Sequence, residues 1–182
     1  MPPLNSETQR LFFALWPSVD LSRDLYSIGG DALPGIGGRR VIPESIHLTL
    51  VFLGSVNASF RECAEQAASR VQAGAFALNL ERIGCWAKSG ILWIGPEQAP
   101  DSLLQLVREL NTGLAGCGHE VEKRPYAAHL TLVRQVRHCT SARVIETRHW
   151  VIDRFCLVQS HTRREGARYE ILREWDLVKA GV

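Results

Sequence analysis

Apolar and polar positions alternate with period two in some stretches of the chain and recur at helical spacing in others, and the two periods divide it into elements. Arg10–Trp16 reads as a strand closed by Pro17. Ser18 or Asp20 can cap a helix reaching about Leu33, so the run Pro34–Gly38 must be a loop. Those glycines neither follow a strand nor precede the Lys-Ser/Thr of a phosphate loop, and they read as a hinge or flexible lip. Residues 39–43 then form a short extended approach to a strand over Ile46–Leu53, ended by Gly54. Asn57 or Ser59 caps a helix to about Gln72, with Phe60, Ala64, Ala67 and Val71 along one side. Phe76–Trp86 and Ile91–Ile94 look like strands of a hairpin turning at Lys88–Gly90. Asp101 opens a helix whose Leu103, Val107, Leu110 and Leu114 recur at helical spacing, ending near Gly116–Gly118. The second half supplies Val121 as a short strand, a strand over Ala127–Val133 and a weak helix near Ser141–Thr147. Two long strands follow, Trp150–Gln159 and Arg168–Val178, joined by a polar loop over 161–167.

Two of these strands carry the same word. His47-Leu48-Thr49-Leu50 and His129-Leu130-Thr131-Leu132 lie 82 positions apart. Because successive side chains point to opposite faces, the His and Thr of each word share one face and the two Leu share the other. One such His beside a Thr is ordinarily an interior polar pair, since buried polar groups need partners. Burying an imidazole twice with the same hydroxyl companion costs free energy that Val would not, and this points to a shared site. Each half has an extended arm ending in Pro, a His-Leu-Thr-Leu strand, and a following helix and hairpin. The expected architecture is therefore α+β: two similar lobes, each an antiparallel sheet with helices on its outer face, related by a pseudo-twofold axis at a central cleft.

Composition narrows the function classes. With 182 residues, 46% apolar and 22% charged, the chain suits one globular, two-lobed domain over 1–182. Its longest apolar stretches fall far short of the ~20 residues that span a bilayer, and Met1–Arg10 lacks a basic segment followed by an apolar core, so a cytoplasmic protein is expected. Five scattered cysteines without a CxxC pair read as reduced thiols. Net charge is only +2, yet residues 1–120 carry −3 and residues 121–182 carry +5, and 18 of the 21 basic residues are Arg, whose planar fork suits phosphate oxygens. Beside a phosphate-directed site the basic third would act as an anion funnel.

At the two words and their flanks the chain resembles the 2H phosphoesterase superfamily, and within it the RNA 2′,3′-cyclic phosphodiesterases, also called 2′-5′ RNA ligases. The likeness spans Arg10–Leu15, Ile46–Gly54, Arg124–Tyr126, His129–Arg134, Ser160 and Gly166–Tyr169. Where relatives often have Phe then His-Pro before the second His, this chain has Tyr126-Ala127-Ala128, and its loop adds Arg163 and Arg164.

The resemblance implies hydrolysis of a terminal ribose 2′,3′-cyclic phosphate to a 2′-phosphate, without metal or other cofactor, and ligation as the reverse. In-line displacement needs a base on the entering water and an acid on the departing oxygen, and imidazole can be either near neutral pH. It also implies His47 as proton donor and His129 as proton acceptor, an assignment that residue type alone leaves open. Thr49 and Thr131 would donate to the non-bridging oxygens, and Arg134 would neutralise the growing charge. For the nucleoside, Phe13, Tyr126, Arg168 and Tyr169 are candidates, each equally suited to core packing. Trp86, Trp93, Trp150 and Trp175 read as core, and His119, His138, His149 and His161 as surface residues. No ligand-spaced partner stands near His47 or His129 except Glu44, so no metal is expected. The expected partner is RNA with a cyclic end or a small cyclic nucleotide, met by a monomer away from any membrane. A binding module that uses the same cleft without turnover is the alternative.

Overall fold

In a computed structural model of the chain, residues 8–32, 34–163 and 166–178 are described. Leu33, expected to end the first helix, and the loop residues Arg164 and Glu165 lie outside them.

Among the described residues nine strands form one sheet: β1 (Gln9–Leu15), β2 (Arg39–Arg40), β3 (Leu48–Val56), β4 (Phe76–Trp86), β5 (Ile91–Gly95), β6 (Leu130–Arg134), β7 (Arg143–Ile152), β8 (Arg154–Arg163) and β9 (Gly166–Asp176). The strand order is β7-β4-β5-β6-β3-β1-β8-β9, with β2 beside β6. The two strands that carry the repeated word thus lie at the centre, each heading a run of four. They touch at a single pair, Leu48 opposite Leu130, and the halves meet there. All named strand pairs are antiparallel.

Three helices cover the leucine face: α1 (Val19–Ala32), α2 (Ala58–Ala68) and α3 (Asp101–Ala115). Ser18 Oγ accepts from the Leu21 amide at the start of α1, and Asn57 Oδ1 accepts from the Phe60 amide at the start of α2. Each half uses the same device, a strand, a helix and a word-bearing strand: β1–α1–β3 and β5–α3–β6. The helices cross over, so that α1 packs behind β6 and α3 behind β3. Gly29 on α1 permits that approach, because a Cβ there would stand 3.3 Å from Leu132 Cβ. Leu48, Leu50, Leu130 and Leu132 are buried among Leu25, Leu103 and Leu110. Each such side chain contributes on the order of 1.5–3 kcal/mol relative to exposure.

Several expectations are corrected. Of the segment expected as a weak helix over 141–147, residues 143–147 belong to strand β7, which is rich in β-branched residues and pairs with β4 from Phe76 to Ile83. The expected strand from Trp150 to Gln159 is broken at Asp153 into β7 and β8. Val121 is not in a strand, α2 ends at Ala68, and β8 and β9 extend into the expected polar loop.

The cysteines also depart from expectation. Cys63 is bonded to Cys117 and Cys85 to Cys139, with Cα separations of 5.8 and 5.5 Å, and Cys156 is a buried free thiol. Each bridge spans 54 residues, so nothing in the local spacing announces it. The first joins α2 to the turn after α3, and the second joins β4 to the loop after β6.

Candidate active site

His47 follows a turn at Pro43–Ser45 and immediately precedes β3, and His129 immediately precedes β6. Leu48 faces Leu130, so the antiparallel register sets His47 across from Thr131 and Thr49 across from His129. All four polar side chains therefore leave the sheet on the face opposite the buried leucines, and each is half-buried.

Both imidazoles are held in the same way. His47 Nδ1 lies 2.8 Å from the Ser45 carbonyl oxygen, and His129 Nδ1 lies 2.8 Å from the Ala127 carbonyl oxygen. A carbonyl only accepts, so Nδ1 carries the proton in each ring and Nε2 is the nitrogen free to exchange one. The partner is the residue two positions earlier in both copies, a signal present in the repeat itself.

The surroundings of the two rings differ. Trp16 stacks on His47 with centroids 4.9 Å apart and planes 7° apart. The Tyr169 ring meets His47 edgewise at 4.9 Å, and Phe12 lies at 5.0 Å. His129 meets Trp86 edgewise at 4.6 Å, and Trp86 in turn packs on Trp93 at 5.4 Å. Burial pushes the His47 pKa down to about 4, helped by the positive charge of Arg134 and by His129, while the Ser45 carbonyl opposes the shift. His129 is lowered by burial and by Arg134, against the Ala127 carbonyl. Arg134 thus acts on both imidazoles, and His129 acts on His47.

A cleft of about 650 Å³ opens over this face, with His47, Thr49, Arg134, Phe12, Ser160 and Tyr169 in its walls. His129 and Thr131 stand on the adjoining strand beside it, outside those walls. Gly38, with φ of +112°, lets the preceding loop lie against the Arg134 backbone, where a Cβ would stand 2.6 Å from the Arg134 carbonyl oxygen. At that position the glycine cluster expected to be a flexible lip packs closely on the strand that carries Arg134. Among the described residues no group of three His, Cys, Asp or Glu side chains could hold a metal ion. No helix among them is long and apolar enough to cross a membrane.

The nucleoside candidates separate. Tyr169 and Arg134 line the cleft. Phe13 does not: it is fully buried against Phe155 and Trp175, on the helix side of the sheet. Its neighbour Phe12 faces the cleft instead, since one step along a strand reverses the face. Tyr126 donates its hydroxyl to the Thr49 carbonyl oxygen at 2.9 Å, and burial pushes its phenol well above the ordinary range, so it props β3 rather than meeting solvent. Arg168 is exposed on the opposite face of β9 from Ala167 and Tyr169, which line the cleft. The Arg163 and Arg164 side chains lie outside the described residues. Residue type alone passed over Phe12, Trp16 and Trp86. The alternation Arg10, Phe12, Ala14, Trp16, with polar Arg10 marking the outer face, was the available signal for the first two.

Against known proteins, residues 40–164 match the model of the 2′-5′ RNA ligase superfamily. The chain belongs to the 2′-5′ RNA ligase superfamily. Within it, the chain is 31% identical to an Escherichia coli RNA 2′,3′-cyclic phosphodiesterase over 96% of this chain and 99% of that protein. The crystal structure of E. coli LigT complexed with 3′-AMP superposes with a TM-score of 0.85 at 31% identity, covering 94% of this chain and 99% of that one. LigT complexed with phosphate matches with a TM-score of 0.82 at 29% identity, over 95% and 99% of the two chains.

Proposed function

We propose that the protein hydrolyses RNA 2′,3′-cyclic phosphate ends to 2′-phosphomonoesters, using His47 and His129 as an acid–base pair without a metal. The observation that carries this is the paired tether: two His-Leu-Thr-Leu words meet at Leu48 and Leu130, with each Nδ1 tied to a carbonyl and each Nε2 left free. The relatives' names support the substrate class.

In the step proposed, His129 Nε2 takes a proton from water as its oxygen attacks phosphorus. The bond from phosphorus to O3′ breaks, and His47 Nε2 gives its proton to O3′. Thr49 and Thr131 donate hydroxyl hydrogen bonds to the non-bridging oxygens, and Arg134 offsets the charge that accumulates there. In the free protein His47 is neutral at pH 7, because its pKa lies at about 4. An anionic phosphodiester beside it favours the imidazolium, so substrate binding charges the acid. The Trp16 face stacked on that ring favours the cation as well. Ligation to a 5′-hydroxyl is the same exchange with a ribose oxygen in place of water, and dilute solution favours hydrolysis.

One incubation tests the reading: pure protein, EDTA and an oligonucleotide with a 2′,3′-cyclic end. A 2′-phosphate product supports it; a 3′-phosphate, or activity restored only by a divalent ion, contradicts it. Binding of the oligonucleotide with no turnover would make the protein a binding module. We further propose that it works as a monomer, since one chain supplies both imidazoles, and that it resides in the cytoplasm. Recovery of the protein in the cytoplasmic fraction of lysed cells would support that compartment; recovery outside it would contradict it.

A further inference from the structure

Strand β3 does not keep its alternation. Thr49 pairs with Ala14 but Val51 pairs with Phe13, so the register slips at Leu50, and it slips again between Phe52 and Gly54. Under strict alternation Phe52 would share the buried face of Leu48 and Leu50. The first bulge brings it round to the face of His47 and Thr49 instead, where it is 49% exposed. An isolated exposed Phe needs no explanation, but this one is the next step of a ladder. Phe12 lies 5.0 Å from His47, the Phe52 ring is 6.4 Å from Phe12 with planes 17° apart, and the Arg10 guanidinium sits 4.9 Å over Phe52. All of these side chains line the same cleft. Ser55 lies opposite Arg10 on β3, and Arg10, Ser55 and Ser160 line one adjoining hollow.

We infer that Phe52 and Arg10 form a stacking platform for the penultimate base of the RNA, one nucleotide upstream of the cyclic phosphate. This rests on the proposal that the cleft takes RNA 3′ ends. The chemistry fits the occupant: every base has a π-face that stacks on an aromatic ring or a guanidinium plane, and the strand that joins two bases carries an anionic phosphate. A Phe capped by Arg offers both flatness and positive charge, and it continues the line that starts at the reacting phosphate. Because stacking is tolerant of sequence, the platform sets a minimum substrate length rather than a base preference.

The test compares kcat/KM for three substrates: a 2′,3′-cyclic mononucleotide, a dinucleotide with a cyclic end, and that dinucleotide with an abasic penultimate ribose. The wild-type protein should favour the dinucleotide over its abasic version by roughly 5- to 150-fold, the range given by one base–aromatic stack. In Phe52→Ala that ratio should fall to about one, in Arg10→Ala it should fall partway, and in Phe52→Tyr it should persist. Equal turnover of the base-bearing and abasic dinucleotides by the wild-type protein overturns the platform without any variant. An undiminished ratio in Phe52→Ala overturns it too. Failure of the wild-type protein to open any of the three would instead overturn the proposed activity.

Discussion

His47 and His129 share a word, a carbonyl tether and a place beside the central strand pair, yet the structure surrounds them differently. Three aromatic rings enclose His47 and one meets His129. Both are driven toward the neutral form, His47 to about 4. The lesson is that a duplicated motif supplies two equivalent imidazoles, whereas the rest of each half makes them unequal. An acid and a base on one phosphate need such inequality.

The largest effect expected is loss of either ring. His47→Ala and His129→Ala should each lower kcat for cyclic-end hydrolysis by on the order of 10²–10⁴-fold. The double variant should lose less than the product of the two, because the rings act as a unit. A rate retained by either single variant would break the pairing.

Arg134 is the group the two rings have in common. Arg134→Ala should cost about 10–10³-fold in kcat through lost charge stabilisation. Removing a positive neighbour favours both imidazolium forms, so both limbs of the pH–rate profile should move to higher pH. In the wild-type protein, kcat/KM should be bell-shaped with its maximum below pH 6.5, since both free-protein values are lowered from 6.5. The kcat profile should lie to its alkaline side, because bound phosphate raises what burial lowers.

The aromatic surroundings sharpen the contrast further. Trp16→Leu should reduce kcat by roughly 2- to 30-fold with a shifted pH profile, and Trp16→Phe should recover most of it. Trp86→Leu, which removes an edgewise contact, should cost roughly 2- to 10-fold. Equal losses with unmoved profiles would mean that both rings serve packing alone.

A separate effect is on stability. The folded His47 binds its proton at about 4 against 6.5 in an ordinary setting, so between those values the unfolded chain takes up the proton. The stabilising contribution is therefore complete above pH 6.5 and is lost as pH falls toward 4, by up to about 3 kcal/mol. Urea unfolding at pH 7.5 and 4.5 measures it, and His47→Gln should flatten the difference.

Much of this site was legible in the chain. The strands bearing both words, the caps at Ser18 and Asn57 and the helix opening at Asp101 follow from local periodicity and local hydrogen bonds. What stayed hidden depends on distant partners. Residues 143–147 look ambiguous until β4 offers its edge, and the cysteine pairs are set by tertiary approach across 54 residues. Phe12 and Phe13 are identical in type, and only strand parity, marked by polar Arg10 on the outer face, separates the cleft residue from the core one. Phe52 could not be placed by parity at all, since a bulge resets the alternation at Leu50.

The most direct measurement of the unequal pair uses a cyclic end in which sulfur replaces O3′. A thiolate leaves without a proton, so the acid becomes dispensable while the base does not. With His47 as acid, the defect of His47→Ala should shrink by at least about 10-fold on the sulfur substrate, and that of His129→Ala should stay as large as on the oxygen substrate. Relief of His129→Ala alone would exchange the two roles. Defects unchanged for both variants would contradict acid–base catalysis by this pair.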